Sequence, residues 1–267
     1  MRIKRPDLFR LFYAHVIQET SMTHTAIIVG ASRGIGASLA RELASRGYQL
    51  GLLARNQEQL GVLASELRQQ FGIRVETAAL DVCAKDTVAP VLEDMMQRFD
   101  SIDVAIANAG VLGWRRAGDG NLAEDRRIIE TNLMGAIAVI DSAVAHFKRQ
   151  KGGHVVGISS ISAYRGIPGS AAYSASKAAL TNYLDALRME LSNKHIAVTV
   201  VHPGFVKTDI APGMEKYPFI AEPAKVAREI ADGIARKKKN IIVPKFPWSL
   251  LLPAMRVMPD RFMKKIF

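Results

Sequence analysis

Apolar residues fall along this chain in two alternating rhythms. Short unbroken runs read as strands buried on both faces: Ala26-Ile27-Ile28-Val29, Tyr48–Ala54, Val75–Leu80, Ile102–Ala107, His154–Ile158, Ile196–Val201 and Ile241–Val243. Helical stretches lie between them, at Ile35–Arg46, Gln57–Phe71, Val88–Phe99, Ala123–Lys148, the residues after Tyr173, and around Lys225–Arg236. Gln57–Phe71 shows the pattern: Leu60, Leu63, Ala64 and Leu67 recur at three- and four-residue spacing and so share one helix face. Strands alternating with helices of this length make βαβ units. The pattern predicts an α/β fold, one doubly wound parallel sheet of about seven strands with helices on both faces.

No repeat or low-complexity linker divides residues 22–244, which read as one domain. Residues 1–21 mix basic residues with Leu8, Phe9, Leu11, Phe12, Val16 and Ile17, and Met22 stands just before the first strand. They read as a start assigned too early or as an amphipathic, membrane-contacting extension. No small-residue cleavage site follows a signal-type apolar run, which argues against secretion. Residues 245–267 interleave Trp248, Leu250–Leu252, Met255, Val257, Met258, Phe262, Met263 and Ile266 with Arg256, Arg261, Lys264 and Lys265. That mixture fits a helix lying on anionic lipid. Packing on a partner subunit and covering a ligand cleft are the alternatives. Pro247, Pro253 and Pro259 break any long helix there, and no run in the chain approaches the ~18 apolar residues of a membrane span.

Charge changes the picture only at the ends. The formal net charge of +11 invites a nucleic-acid partner, but residues 236–267 hold nine Lys/Arg against one Asp/Glu, and residues 22–235 are nearly neutral at 23 against 22. A neutral body argues against a nucleic-acid face. Cys83 is the single cysteine, so no internal disulfide forms; it fits a reducing compartment and reads as a small buried apolar residue. The cytoplasm is the expected compartment, with membrane association through the tail as its qualification. No His/Cys/Asp cluster has metal spacing, so no metal is expected, and His154 and His202 read as structural.

Two stretches carry chemistry. Gly30-Ala31-Ser32-Arg33-Gly34-Ile35-Gly36 runs from the first strand straight into a helix. Glycines there let backbone approach phosphate oxygens, and the helix N-terminus supplies amide donors. Dinucleotide sites selective for NAD place an acid at the end of the second strand. Here that stretch, Gly51-Leu52-Leu53-Ala54-Arg55-Asn56, has no acid but has Arg55, and Arg33 sits in the glycine turn. Two guanidinium groups suit the 2′-phosphate of NADP(H). Downstream, Tyr173 and Lys177 stand four apart in a helical segment, on one face. A cation beside a phenol lowers its pKa from about 10 toward the range of a working proton donor.

With these residues in place, the chain from about Thr23 to Val243 resembles the short-chain dehydrogenase/reductase family. The family's glycine turn corresponds to Gly30, Gly34 and Gly36, and its adenine-contacting acid to Asp81 with Val82. Its Asn-Asn-Ala-Gly appears as Ala107-Asn108-Ala109-Gly110, with one residue changed. Its long-helix asparagine resembles Asn132, its catalytic serine Ser160, and its Pro-Gly after the sixth strand Pro203-Gly204; Val206 and Thr208 follow, Thr208 at the nicotinamide-contacting position. Ser159 and Ser162 flank Ser160, but the spacing to Tyr173 selects Ser160.

The resemblance implies a Rossmann-type fold, an NADP(H) cofactor and hydride transfer between the nicotinamide and a carbonyl or secondary alcohol. Tyr173 is then the proton donor and Ser160 the group that binds the substrate oxygen. Lys177 lowers the phenol's pKa and holds the nicotinamide ribose, and Asn132 holds a water that links Lys177 to solvent. Pocket residues are expected among Leu112-Gly113-Trp114, Ile161–Ile167, Phe205 and Ile210–Ile220, including Met214, Tyr217 and Phe219. Their apolar character favours an apolar ketone or aldehyde as the small-molecule substrate. A homodimer or homotetramer packed through the helices carrying Asn132 and Tyr173 is implied as well. The competing class is a non-catalytic NADP(H)-binding sensor or membrane scaffold, which would be expected to have lost one of Asn132, Ser160, Tyr173 and Lys177.

Overall fold

A computed structural model describes residues 24–116, 118–208, 219–261 and 263. Seven strands form one sheet in the order β3-β2-β1-β4-β5-β6-β7, parallel throughout. They are β1 (Thr25–Val29), β2 (Gln49–Ala54), β3 (Val75–Ala79), β4 (Val104–Ala107), β5 (Gly153–Ile158), β6 (Ile196–Pro203) and β7 (Asn240–Val243). Between them run α1 (Gly34–Ser45), α2 (Gln57–Phe71), α3 (Lys85–Gln97), α4 (Leu122–Ile129), α5 (Ala136–Gln150), α6 (Ala171–Glu190) and α7 (Pro223–Ala235), and α8 (Lys245–Val257) follows β7.

Alternation along the strands sorts the core into two layers, because successive side chains point to opposite faces. Ala26 and Ile28 of β1 pack with Leu39 and Leu43 of α1, Leu60 and Leu67 of α2, and Val226 and Ile230 of α7. Ile27 and Val29 face the other way, toward Leu92 and Met95 of α3, Ile140 and Phe147 of α5, and Leu180 and Leu184 of α6. Chain order reverses between β1 and β4, so a crevice opens at their C-terminal ends. The described candidate residues lie near that crevice or in the loops around it.

The expected long helix is present from Leu122 to Gln150, but a π-helical turn at Glu130–Gly135 interrupts it. By length and apolarity this stretch could cross a membrane, yet half of its most apolar window is buried inside the protein. Gly135 lies against Val82, where a Cβ would come within 2.6 Å of Cγ2. Cys83 departs from expectation: it is exposed, with Sγ 3.3 Å from the Thr131 hydroxyl, because it sits in the turn after β3 rather than in the sheet.

The C-terminal segment folds despite its prolines. Phe246 is non-helical (φ −100, ψ 134), so Pro247 occupies the first turn of α8, where no amide donor is needed. Trp248, Leu252 and Met255 then pack with Ile161, Phe205 and Met263 in a third apolar cluster at the crevice end of the sheet.

Candidate active site

The glycine turn links β1 to α1. Gly30 has φ +87, and a Cβ there would come within 2.6 Å of the Ala109 amide nitrogen. A Cβ on Gly36 would overlap the Gly30 carbonyl and reach the Asn108 side chain. That side chain donates to Gly30 O at 2.7 Å and ties the loop after β4 to the turn after β1. The turn therefore needs glycine for its own packing as well as for a ligand.

A groove of about 450 Å³ runs from this turn across the ends of β2 and β3. Gly30, Ser32, Arg33, Arg55, Asp81, Val82, Asn108, Ala109 and Gly110 line it. A second recess beside it takes Ser32, Arg33, Gly34 and Thr208. Arg33 and Arg55 are exposed, and neither pairs with a carboxylate among the described residues. Asp81 Oδ1 accepts from the Cys83 amide at 3.0 Å, fixing its carboxylate at the groove edge. Asn56 and Gln59 also line the groove, unassigned by the sequence reading. The available signal is their place directly after β2, where Asn56 caps α2 by accepting from the Gln59 amide at 3.0 Å.

The catalytic cleft opens where that groove ends. Ile35, Asn108, Gly110, Ser160, Tyr173, Lys177, Pro203, Gly204, Val206 and Thr208 line it together, with Leu112, Trp114, Ile161, Ile167 and Phe205 as apolar walls. Met214 and Tyr217 lie outside the described residues, whereas Phe219 is described and about half exposed. Ser162 and Ser170 line the wall too, each with a buried hydroxyl that has no partner among the described residues.

Ser160 ends the loop after β5 and caps a short 3-10 turn at Ile161–Ala163, accepting from the Ser162 amide at 3.2 Å. Tyr173 lies in the first turn of α6 and hydrogen-bonds Ser160. Lys177, one turn on, is buried, donates to Ile158 O at 2.8 Å, and holds Nζ 5.9 Å from the centre of the Tyr173 ring. Burial pushes the Lys177 ammonium down to about 8.

The phenol corrects the sequence reading. Burial raises the Tyr173 pKa above its ordinary value, and the Ser160 hydrogen bond offsets only part of that rise. Lys177 donates a hydrogen bond to Ile158 O, and burial disfavours its charged form. In the chain by itself, desolvation outweighs the neighbouring cation.

Asn132 lies behind the cleft rather than in its wall. Its Oδ1 accepts from the Val111 amide at 2.7 Å and its Nδ2 donates to Val111 O at 2.8 Å. A Cβ on Gly110 would lie 3.3 Å from Asn132 Oδ1 and 3.6 Å from Lys177 Nζ, so both groups border the space that this glycine leaves. His202 is buried, with Nδ1 3.4 Å from Ser160 O and its ring edge-on to Tyr164. His154 binds Thr199 Oγ1 at 2.7 Å, and burial holds it down to about 4.

Comparison with known proteins agrees with this geometry. The sequence profile of the family described as short chain dehydrogenase matches residues 24–217. An uncharacterized oxidoreductase of Mycobacterium tuberculosis is 34% identical over 249 residues, 92% of this chain and 98% of its own length. The solved structure of an alcohol dehydrogenase from Thermococcus sibiricus, complexed with 5-hydroxy-NADP, is 30% identical at a TM-score of 0.75, covering 83% of this chain and 96% of that one. A short-chain dehydrogenase/reductase from Burkholderia phymatum in complex with NAD shares the fold at a TM-score of 0.80 and 20% identity, covering 92% and 96%.

Proposed function

The chain belongs to the short-chain dehydrogenase family of oxidoreductases, and from that premise we propose that it is an NADPH-dependent reductase of an apolar ketone or aldehyde. The observation that carries this reading is the joining of Ser160, Tyr173 and Lys177 in an apolar cleft that continues the groove bearing Arg33 and Arg55.

The groove fits a dinucleotide. Its floor is the backbone of Gly30 and Ala109, approached closely because neither Gly30 nor Gly36 carries a Cβ. Asp81 and Val82 would hold the adenine end, Arg33 and Arg55 the 2′-phosphate, and Asn108–Gly110 with Lys177 and Thr208 the nicotinamide end. A bound nicotinamide cofactor supplies or accepts hydride.

The chain's own residues handle the proton. The raised phenol of Tyr173 is protonated at neutral pH and is the acid for a substrate oxygen. The Ser160 hydroxyl, held beside the phenol, would bind the same substrate oxygen and steady its developing charge. As the phenol loses its proton, the Lys177 ammonium near its ring stabilises the phenolate. Asn132, by clamping Val111, fixes the loop that carries Gly110 beneath the cleft. Reduction is the favoured direction because cellular NADP pools are kept mostly reduced. The same reading expects a homodimer or homotetramer packed through α4–α5 and α6, where Met134 and Met189 are exposed.

The test is NADPH consumption against aldehydes, ketones, 3-ketoacyl thioesters and steroids, with NADH as the control. Tyr173→Phe is expected to abolish turnover while leaving NADPH affinity within about twofold, since it removes the acid and little of the groove. A well-folded variant that keeps more than half of the activity overturns the assignment.

A further inference from the structure

Helix α8 is apolar at most of its positions, with Lys245, Ser249 and Arg256 the exceptions. Its inner face sends Trp248, Leu252 and Met255 into the cluster with Ile161 and Phe205, at the back of the catalytic cleft. Its outer face is apolar too: Phe246 is 73% exposed, Leu250 69% and Val257 83%. Pro253 is also exposed, and positions 250, 253 and 257 recur at three- and four-residue steps along one stripe, with Phe246 exposed just before the helical turns begin. A contiguous exposed apolar surface marks a contact.

The charge that the sequence places in this segment identifies what the stripe contacts. Lys245, Arg256, Lys264 and Lys265 lie within and after α8 in the sequence, where Asp260 is the single acid of residues 245–267. That carboxylate is occupied by Arg165 at 2.5 Å. A second copy of the chain seated here by a two-fold axis would bring one cationic set against another. Anionic headgroups would neutralise the set while the stripe enters the acyl boundary. We propose that the outer face of α8 docks on the surface of an anionic phospholipid bilayer. Phe219, half exposed and edge-on to Trp248 at 6.4 Å, extends the apolar surface beyond the helix. Docking by this helix sets the wall of the cleft directly behind the bilayer surface.

Co-sedimentation of the full chain with phosphatidylcholine vesicles, with and without phosphatidylserine, tests the proposal. Binding is expected only with phosphatidylserine and is expected to fall as salt rises. Leu250→Glu with Val257→Glu should weaken it at least about tenfold, and Lys264→Glu with Lys265→Glu by a similar factor, since each basic residue near such a surface contributes substantially. NADPH affinity and the circular dichroism spectrum should be unchanged in both, which separates loss of docking from loss of fold. Equal sedimentation of parent and variants, or none with either vesicle, overturns the proposal. A concentration-dependent dimer that Leu250→Glu abolishes, without vesicle binding, also overturns it and assigns the stripe to a second copy.

Discussion

Lys177 shows most clearly how a single residue's surroundings decide what it can do. Its ammonium is buried against Ile158 O with no carboxylate partner among the described residues, and burial lowers its pKa from 10.5 to about 8. Below pH 8 the folded chain therefore carries the full cost of a desolvated charge. Between pH 8 and 10.5 the unfolded chain holds more protons than the folded one, so stability rises with pH relative to a chain without the group. The expected gain is on the order of 3 kcal/mol across that window, at about 1.4 kcal/mol per pKa unit. Denaturation of the parent and Lys177→Met at pH 7 and pH 10 measures it: the stability of the parent relative to the variant should rise at the higher pH, and a pH-independent difference would contradict the burial argument. Tyr173, Lys177 and Ser160 were legible in the sequence because their spacing survives folding. The direction of the phenol's shift was not, because desolvation depends on what packs around the ring.

At the scale of elements, strands such as β2 could be read because they are buried on both faces and so apolar throughout, Gln49 apart. A helix in the segment of α8 was expected, but where it packs was not legible, although Trp248, Leu252 and Met255 stand at i, i+4 and i+7. What secures it is a contact from another part of the chain: the Trp248 indole lies over Gly204 at the end of β6, where a Cβ would overlap Nε1. The Pro203-Gly204 step is thus shaped by the last helix as much as by a ligand. Gly204→Ala should destabilise the chain by about 1–3 kcal/mol, as overpacking does. In a Trp248→Ala background the same change should cost much less, a coupling that urea denaturation of the four proteins can read as a double-mutant cycle. Additive costs would mean that some other contact constrains Gly204. The π turn at Glu130–Gly135 was equally hidden, since it follows from Asn132 reaching Val111 and Gly135 meeting Val82 rather than from local sequence.

For the whole molecule, these contacts decide whether the C-terminal segment is an appendage or part of the cooperative unit. Ile161 and Phe205 belong both to the cluster beneath α8 and to the lining of the catalytic cleft, so the helix and the site share walls. A domain built this way should unfold in one transition, with the tail melting alongside the sheet. The two tryptophans make this measurable, because Trp248 is buried in the tail cluster while Trp114 is 49% exposed at the cleft mouth. In Trp114→Phe, fluorescence reports on Trp248 alone and should follow the same thermal curve as far-ultraviolet circular dichroism. NADPH at about a hundred times its Kd should stabilise the fold by ~2.7 kcal/mol, and at roughly 2–4 °C per kcal/mol both curves should move up together by ~5–10 °C. An early Trp248 transition that NADPH leaves in place would detach the tail from the catalytic unit, and α8 would then be a docked segment rather than a wall of the site.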